Sequence, residues 1–205
     1  MFPVLPASAR YQALVVAALA AASLVAQWVY LMDLRGTGPL ATLISMSRFF
    51  TILTTALIVV TFVVVAISRQ RGLSAPLLAA LTLSAVMTGA VYHVLLADGW
   101  NPTGLGVAAD IGLHSVVPAS VFLWWLIHAP KTALIWADLP AFALWPSVYI
   151  AYALGLGSVD GTYPYPFMDP TIAGPERVAA TLGILSILLL LGGTVMVGIG
   201  RFIDR

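Results

Sequence analysis

The chain contains no cysteine, and of its 205 residues only nine are lysine or arginine and eight aspartate or glutamate. The missing cysteine excludes disulfides, thiolate zinc sites and cysteine-held iron–sulfur clusters. Charged residues make up 8 % of the chain, against about 25 % in soluble domains. So sparse a charge cannot cover a water-facing surface. The net charge is +1 and no basic run occurs, so no nucleic-acid partner is expected. The HExxH pattern is absent too, and no metal site is expected. What the chain has instead is apolar length: 61 % of residues are hydrophobic and the mean hydropathy is +1.02.

A helix crossing a bilayer needs about 20 apolar residues. Six such stretches are legible, at 11–32, 46–68, 74–97, 110–128, 136–156 and 177–200. They are divided by DLRGTGP, SRQRGLSAP, ADGWNPTG, HAPK and SVDGTYPYPFMDPTIAGPER. The expected fold is all-α and integral to a membrane: one six-helix transmembrane domain over residues 1–205, since helices satisfy their own backbone in lipid. The first apolar run exceeds the ~7–15 residues of a signal-peptide core and is expected to remain as a span. With the N-terminus in the cytoplasm, Arg10, Arg69, Arg71, Lys131, Arg201 and Arg205 lie inside, and Arg35, Arg48 and Arg177 outside. That bias favours both termini cytoplasmic.

This topology brings polar residues from three spans to one depth. Arg48, Thr51, Thr54 and Thr55 fall in the outer half of the second span, and Tyr92 and His93 at the outer end of the third. Asp110 and His114 open the fourth from the same side. His128, ~21 Å further along at ~1.5 Å per residue, belongs to the inner side. Asp110 and His114 are four residues apart and share a helical face, so the carboxylate can accept from one imidazole nitrogen and leave the other free as a base. Pro118 has no N–H for the His114 carbonyl, which predicts a kink and a free acceptor. Arg48, Thr51 and Thr55, spaced by three and four, would present a cation and two hydroxyls on one face.

Each of these residues has an ordinary reading as well. Hydroxyls in membrane helices usually bond their own i−4 carbonyl or a neighbouring helix, and TILTT is compatible with a helix seam. His93 and His128 suit interfaces, and Arg48 suits snorkelling. Ionisable groups within a span are functional by default, which singles out His114. Three histidines are one short of two bis-histidine haems, leaving a single haem between His93 and His114 as an alternative. A transporter is a further alternative, although no symmetry relates the two halves of the sequence.

The order of segments is SRFFTILTT opening the second span, VYHVLLADG closing the third, ADIGLHSVVP opening the fourth and GTYPYPFMD preceding the last. This resembles the bacterial branch of the androgen-induced gene family, which includes the androgen-dependent TFPI-regulating protein. The resemblance covers nearly the whole chain and is carried mainly by HSVVP and the YPF-acid segment. The family's animal members are multi-pass threonine hydrolases of fatty acid esters of hydroxy fatty acids, with one essential threonine and one essential histidine. The resemblance implies Thr51 as nucleophile and His114 as base, with Thr54 and Thr55 leaving the threonine open by a turn. It also implies no cofactor, a lipid-ester substrate entering from the bilayer, and residence in the bacterial inner membrane. In such a mechanism Asp110 orients the imidazole, and Arg48, Tyr92 and His93 are candidates for orientation or for the oxyanion. His93 has no role in the animal enzymes, a departure that bears on substrate identity. GTYPYPFMD is expected as a lid or as an interfacial aromatic anchor.

Reporter fusions at the C-terminus and near Asp160 are expected to report opposite sides of the membrane. An extracytoplasmic C-terminus would move Thr51 and His114 to the cytoplasmic side and overturn the orientation.

Overall fold

The structure is a computed structural model that describes residues 5–68 and 74–203; Arg69, Arg71 and Arg205, used above for orientation, lie outside the described residues. No strand occurs among the described residues. Six helices are long and apolar enough to cross a membrane: Ala7–Arg35, Phe50–Ile67, Ala75–Gly99, Leu105–His128, Trp136–Asp160 and Pro175–Phe202. Each coincides with an apolar stretch of the sequence. The protein is an all-α, multi-pass membrane protein.

The breakers act locally as their chemistry requires. Helix α1 (Ala7–Arg35) ends at Gly36, whose φ of 61° is the left-handed conformation of a helix C-cap. A short helix that the hydropathy did not suggest, α2 (Pro39–Met46), begins with proline in its first turn. Phe49 is then extended (φ −93°, ψ 133°) before α3 (Phe50–Ile67) begins. Arg48 therefore sits in the turn ahead of α3. The expected stripe of Arg48, Thr51 and Thr55 on one helical face is not formed, because the extended residue breaks the register. Helix α4 (Ala75–Val91) is capped by Ser74, whose side chain accepts from Leu77 N–H at 3.4 Å. Helices α5 (Leu105–Ile111) and α6 (Val117–His128) belong to one span, as do the preceding α4 and Tyr92–Leu96.

The chain divides into two compact units, Met1–Pro130 and Lys131–Arg205. In the first, α1 packs along α3 and against α5 and α6, while α4 packs on α3 and α6. Side-chain bonds at the helix ends fix the directions. Arg10 Nε donates to Ala66 O at 2.9 Å, Trp124 Nε1 to Ala9 O at 2.9 Å, and His128 Nε2 pairs with Gln12 Oε1 at 2.9 Å. The start of α1 thus meets the ends of α3 and α6. At its other end Trp28 Nε1 donates to Pro39 O, and the Tyr30 ring meets Trp100 edge-on. Thr51, Tyr92, Asp110 and His114 lie toward this second end, and His128 at the first.

Two glycines let backbones close on the His114 segment. A Cβ on Gly89 would lie 2.7 Å from the His114 carbonyl oxygen, and Ser23 of α1 fills the space where a Gly112 side chain would be. Small residues at membrane helix contacts allow this approach.

The second unit pairs α7 (Leu139–Asp160) with α8 (Pro175–Ile203), Leu139 and Phe142 packing at Gly193. Its YPF-acid segment is compact. Tyr165 stacks on Phe167, Met168 is buried, and the Asp169 carboxylate accepts from Thr171 N at 2.8 Å and Thr171 Oγ1 at 2.6 Å. The hydroxyl bond from Thr171 holds the Asp169 carboxyl below the usual carboxylate range.

Gly89→Ala should destabilise the protein by about 1–3 kcal/mol, the usual cost of overpacking, because the carbonyl it meets is backbone and cannot turn aside. Gly183→Ala, in α8 with nothing within 4 Å of the new methyl, should be neutral or stabilising by up to about 1 kcal/mol. Thermal unfolding in detergent compares the two; equal melting temperatures would contradict the close approach.

Candidate functional site

Tyr92 and His114 lie in π-helical turns, Tyr92–Leu96 at the end of α4 and Gly112–Val116 between α5 and α6. A backbone in hydrocarbon must still satisfy its amides, and it does so here by lengthened bonds: Ala97 N–H to Tyr92 O, and Val117 N–H to Gly112 O. Such turns insert a residue without breaking a helix and occur often at functional sites. Pro118 explains the second, since it removes the ordinary donor for the His114 carbonyl. That carbonyl faces Gly89. The acceptor expected at the site is closed over by α4.

Asp110 is the centre of the arrangement. Its Oδ2 accepts from Tyr92 Oη at 2.7 Å and its Oδ1 from His114 Nδ1 at 3.1 Å; Nδ1 also lies 3.1 Å from the Asp110 carbonyl. The Tyr92 ring stacks on the imidazole, centroids 3.7 Å apart and planes within 8°. A backbone carbonyl and a carboxylate only accept, so Nδ1 carries the proton and Nε2 the lone pair. Among the described residues Nε2 has no hydrogen-bond partner. The side chains of His114 and Asp110 are 14 % and 15 % exposed.

Tyr92, expected at the oxyanion or in orientation, is a clamp: its hydroxyl is committed to Asp110 and its ring to His114. His93 is turned to a different partner, its Nε2 standing 3.0 Å from Ser115 Oγ. Ser115 escaped the sequence reading. Its neighbour in HSVVP marked the segment, but a pairing across 22 residues depends on two π turns that hydropathy does not encode. Among the described residues, no group of three or more His, Cys, Asp or Glu is placed to hold a metal ion.

Thr51 lies in the first turn of α3 and is 9 % exposed; Thr54 and Thr55 are buried. Most buried hydroxyls here bond the carbonyl one turn back, as Ser23, Thr42, Thr82, Ser84 and Thr88 do. Thr54 is engaged too. Thr51 and Thr55, four residues apart on one face, are the exceptions: among the described residues neither has a hydrogen-bond partner. A buried hydroxyl left unpaired costs about 1–3 kcal/mol, and such a group calls for a water or a ligand. Helix α3 also packs against the π turn that carries His114, as do α1 and α4.

The chemistry available is that of an oriented base with an open nitrogen, beside a helix offering unpaired hydroxyls. No protein-family model, no curated protein and no solved structure matches this chain.

Proposed function

We propose that the protein is an intramembrane lipid-ester hydrolase with Thr51 as nucleophile and His114 as general base. The observation that carries this reading is the His114 imidazole, with Nδ1 committed to Asp110, its face held by Tyr92 and Nε2 open. The buried, unpartnered Thr51 hydroxyl on a helix packed against the same turn supports it, as does the resemblance to the androgen-induced gene family, carried mainly by HSVVP and the YPF-acid segment.

In this mechanism the Thr51 proton passes to His114 Nε2 as Oγ1 attacks the ester carbonyl. Asp110 steadies the imidazolium through Nδ1, the part played by the third member of a triad. The oxyanion meets the N–H groups of Thr51 and Ile52, which precede the first bond of the α3 ladder, from Leu53 N–H to Phe49 O. Neither Arg48 nor His93 is needed for this. His114 then returns its proton to the leaving alkoxide, and a water activated by the same nitrogen releases the acid from Thr51. Both products are amphiphiles, so substrate enters from the bilayer. With both termini cytoplasmic, the reaction lies near the outer leaflet of the bacterial inner membrane, and fatty acid esters of hydroxy fatty acids are the substrate class.

Thr51→Ala and His114→Ala should abolish ester turnover by monodisperse, detergent-purified protein, while Thr51→Ser retains part of it. Asp110→Asn keeps an acceptor for Nδ1–H and should lose roughly 10²-fold in kcat, within the range of general acid–base effects. Tyr92→Phe, which preserves the stack, should be milder than Tyr92→Leu. Turnover should fall on the acid side, as a protonated His114 cannot act as base. Wild-type turnover in Thr51→Ala with a dead Thr55→Ala would place the nucleophile one turn further along. Wild-type turnover in a well-folded His114→Ala would end the reading.

A further inference from the structure

We infer that Ser115 is a second nucleophile, activated by His93, that forms a covalent adduct with amphiphiles carrying an electrophilic carbonyl or phosphorus. The inference rests on a contact independent of Thr51. Helical hydroxyls in this protein habitually give their proton to the carbonyl one turn back: Ser84, Thr88, Ser120, Ser186 and Thr194 all do so at 2.7–2.9 Å. This self-capping makes them inert. Ser115 departs from the habit, and its Oγ lies 3.0 Å from His93 Nε2.

The π turns account for the departure. Both residues stand in one, Ser115 in Gly112–Val116 and His93 in Tyr92–Leu96, and the wider turn carries Ser115 out of register with the carbonyl four residues back. The hydrogen-bond roles then follow. Among the described residues the Ser115 hydroxyl has no other acceptor, so it is fully used only by donating to an unprotonated Nε2. A hydroxyl donating to an imidazole lone pair is the arrangement of an activated serine.

The surroundings define what such a dyad meets. His93 is exposed and Ser115 half-buried, whereas Thr51 is 9 % exposed. The pair is reached from outside the four-span unit, toward the end marked by Trp28, Tyr30 and Trp100. Membrane lipids with ester or phosphoester groups present electrophiles at such a boundary. Among the described residues no carboxylate orients His93, so Ser115 acts as a dyad, slower than a triad. With an ester, the Ser115 Oγ–carbonyl bond forms as the proton moves to His93 Nε2. The bond from carbonyl to alkoxy oxygen breaks as that proton passes to the departing alcohol, leaving acyl-Ser115 for water to hydrolyse. With a fluorophosphonate, an O–P bond forms, fluoride leaves, and the proton stays on His93.

The test treats full-length, detergent-purified protein with a long-chain alkyl fluorophosphonate and maps adducts by peptide mass spectrometry. An adduct on Ser115 is expected in the wild type and in Thr51→Ala. It should be absent in Ser115→Ala, and His93→Gln should slow its formation by roughly 10²-fold. The inference is overturned if the folded wild type carries no adduct on Ser115, or if His93→Gln labels Ser115 at the wild-type rate. Heat-denatured protein that labels Ser115 as fast as the native form would overturn it too. The wild-type map and His93→Gln decide the matter even where Ser115→Ala fails to fold. Loss of turnover in Thr51→Ala bears on the hydrolase reading alone, so the two fail separately.

Discussion

A carboxylate in a hydrocarbon span must be surrounded by donors, because an unpaired charge there costs several kcal/mol. Asp110 meets that demand with a phenol at 2.7 Å and an imidazole at 3.1 Å, and much of the first unit is arranged so that they can reach it. Tyr92 comes from the end of α4, so α4 must lie close against the segment that carries His114. Gly89 allows this by leaving room for the His114 carbonyl, and Gly112 does the same for Ser23 of α1. Remove the carboxylate and the stack of Tyr92 on His114 loses the group that ties both to one place.

The π turns distribute chemistry between two sides of the same segment. Successive residues of a helix are about 100° apart, so neighbours in sequence face different surroundings. Tyr92 turns inward to Asp110 and His114, while His93 next to it turns outward to Ser115. His114 and Ser115 divide in the same way. Two pairs of consecutive residues thereby make two separate contacts, one around a half-buried carboxylate and one around an exposed imidazole. The lengthened backbone bonds at Ala97 and Val117 keep the amides satisfied while this happens, which is the condition for any irregularity inside a membrane.

The unpaired hydroxyls of Thr51 and Thr55 stand out against the same background. Among the described residues, the buried Ser23, Thr42, Thr82, Ser84 and Thr88 turn their protons back on their own helices, an inexpensive solution in lipid. At the head of α3 that solution is available in full only to residues with a helical turn behind them. Thr51 is the second residue of α3, two positions after the extended Phe49, and has none. Its hydroxyl is left for a partner from outside the helix, and the turn bearing His114 lies against that helix.

Hydropathy alone determined the six spans, because about 20 apolar residues in a row have no other stable home than a bilayer. The spacing of Asp110 and His114 determined their bond as well, since residues four apart on a helix share a face whatever surrounds them. The tertiary structure decided the rest. It placed Arg48 in a turn because Phe49 is extended, and it turned the Tyr92 hydroxyl to Asp110 and His93 to Ser115. It closed the His114 carbonyl against Gly89. Those outcomes depend on how far apart backbones lie and on where a helix widens by one residue, and both are set by packing between segments distant in sequence.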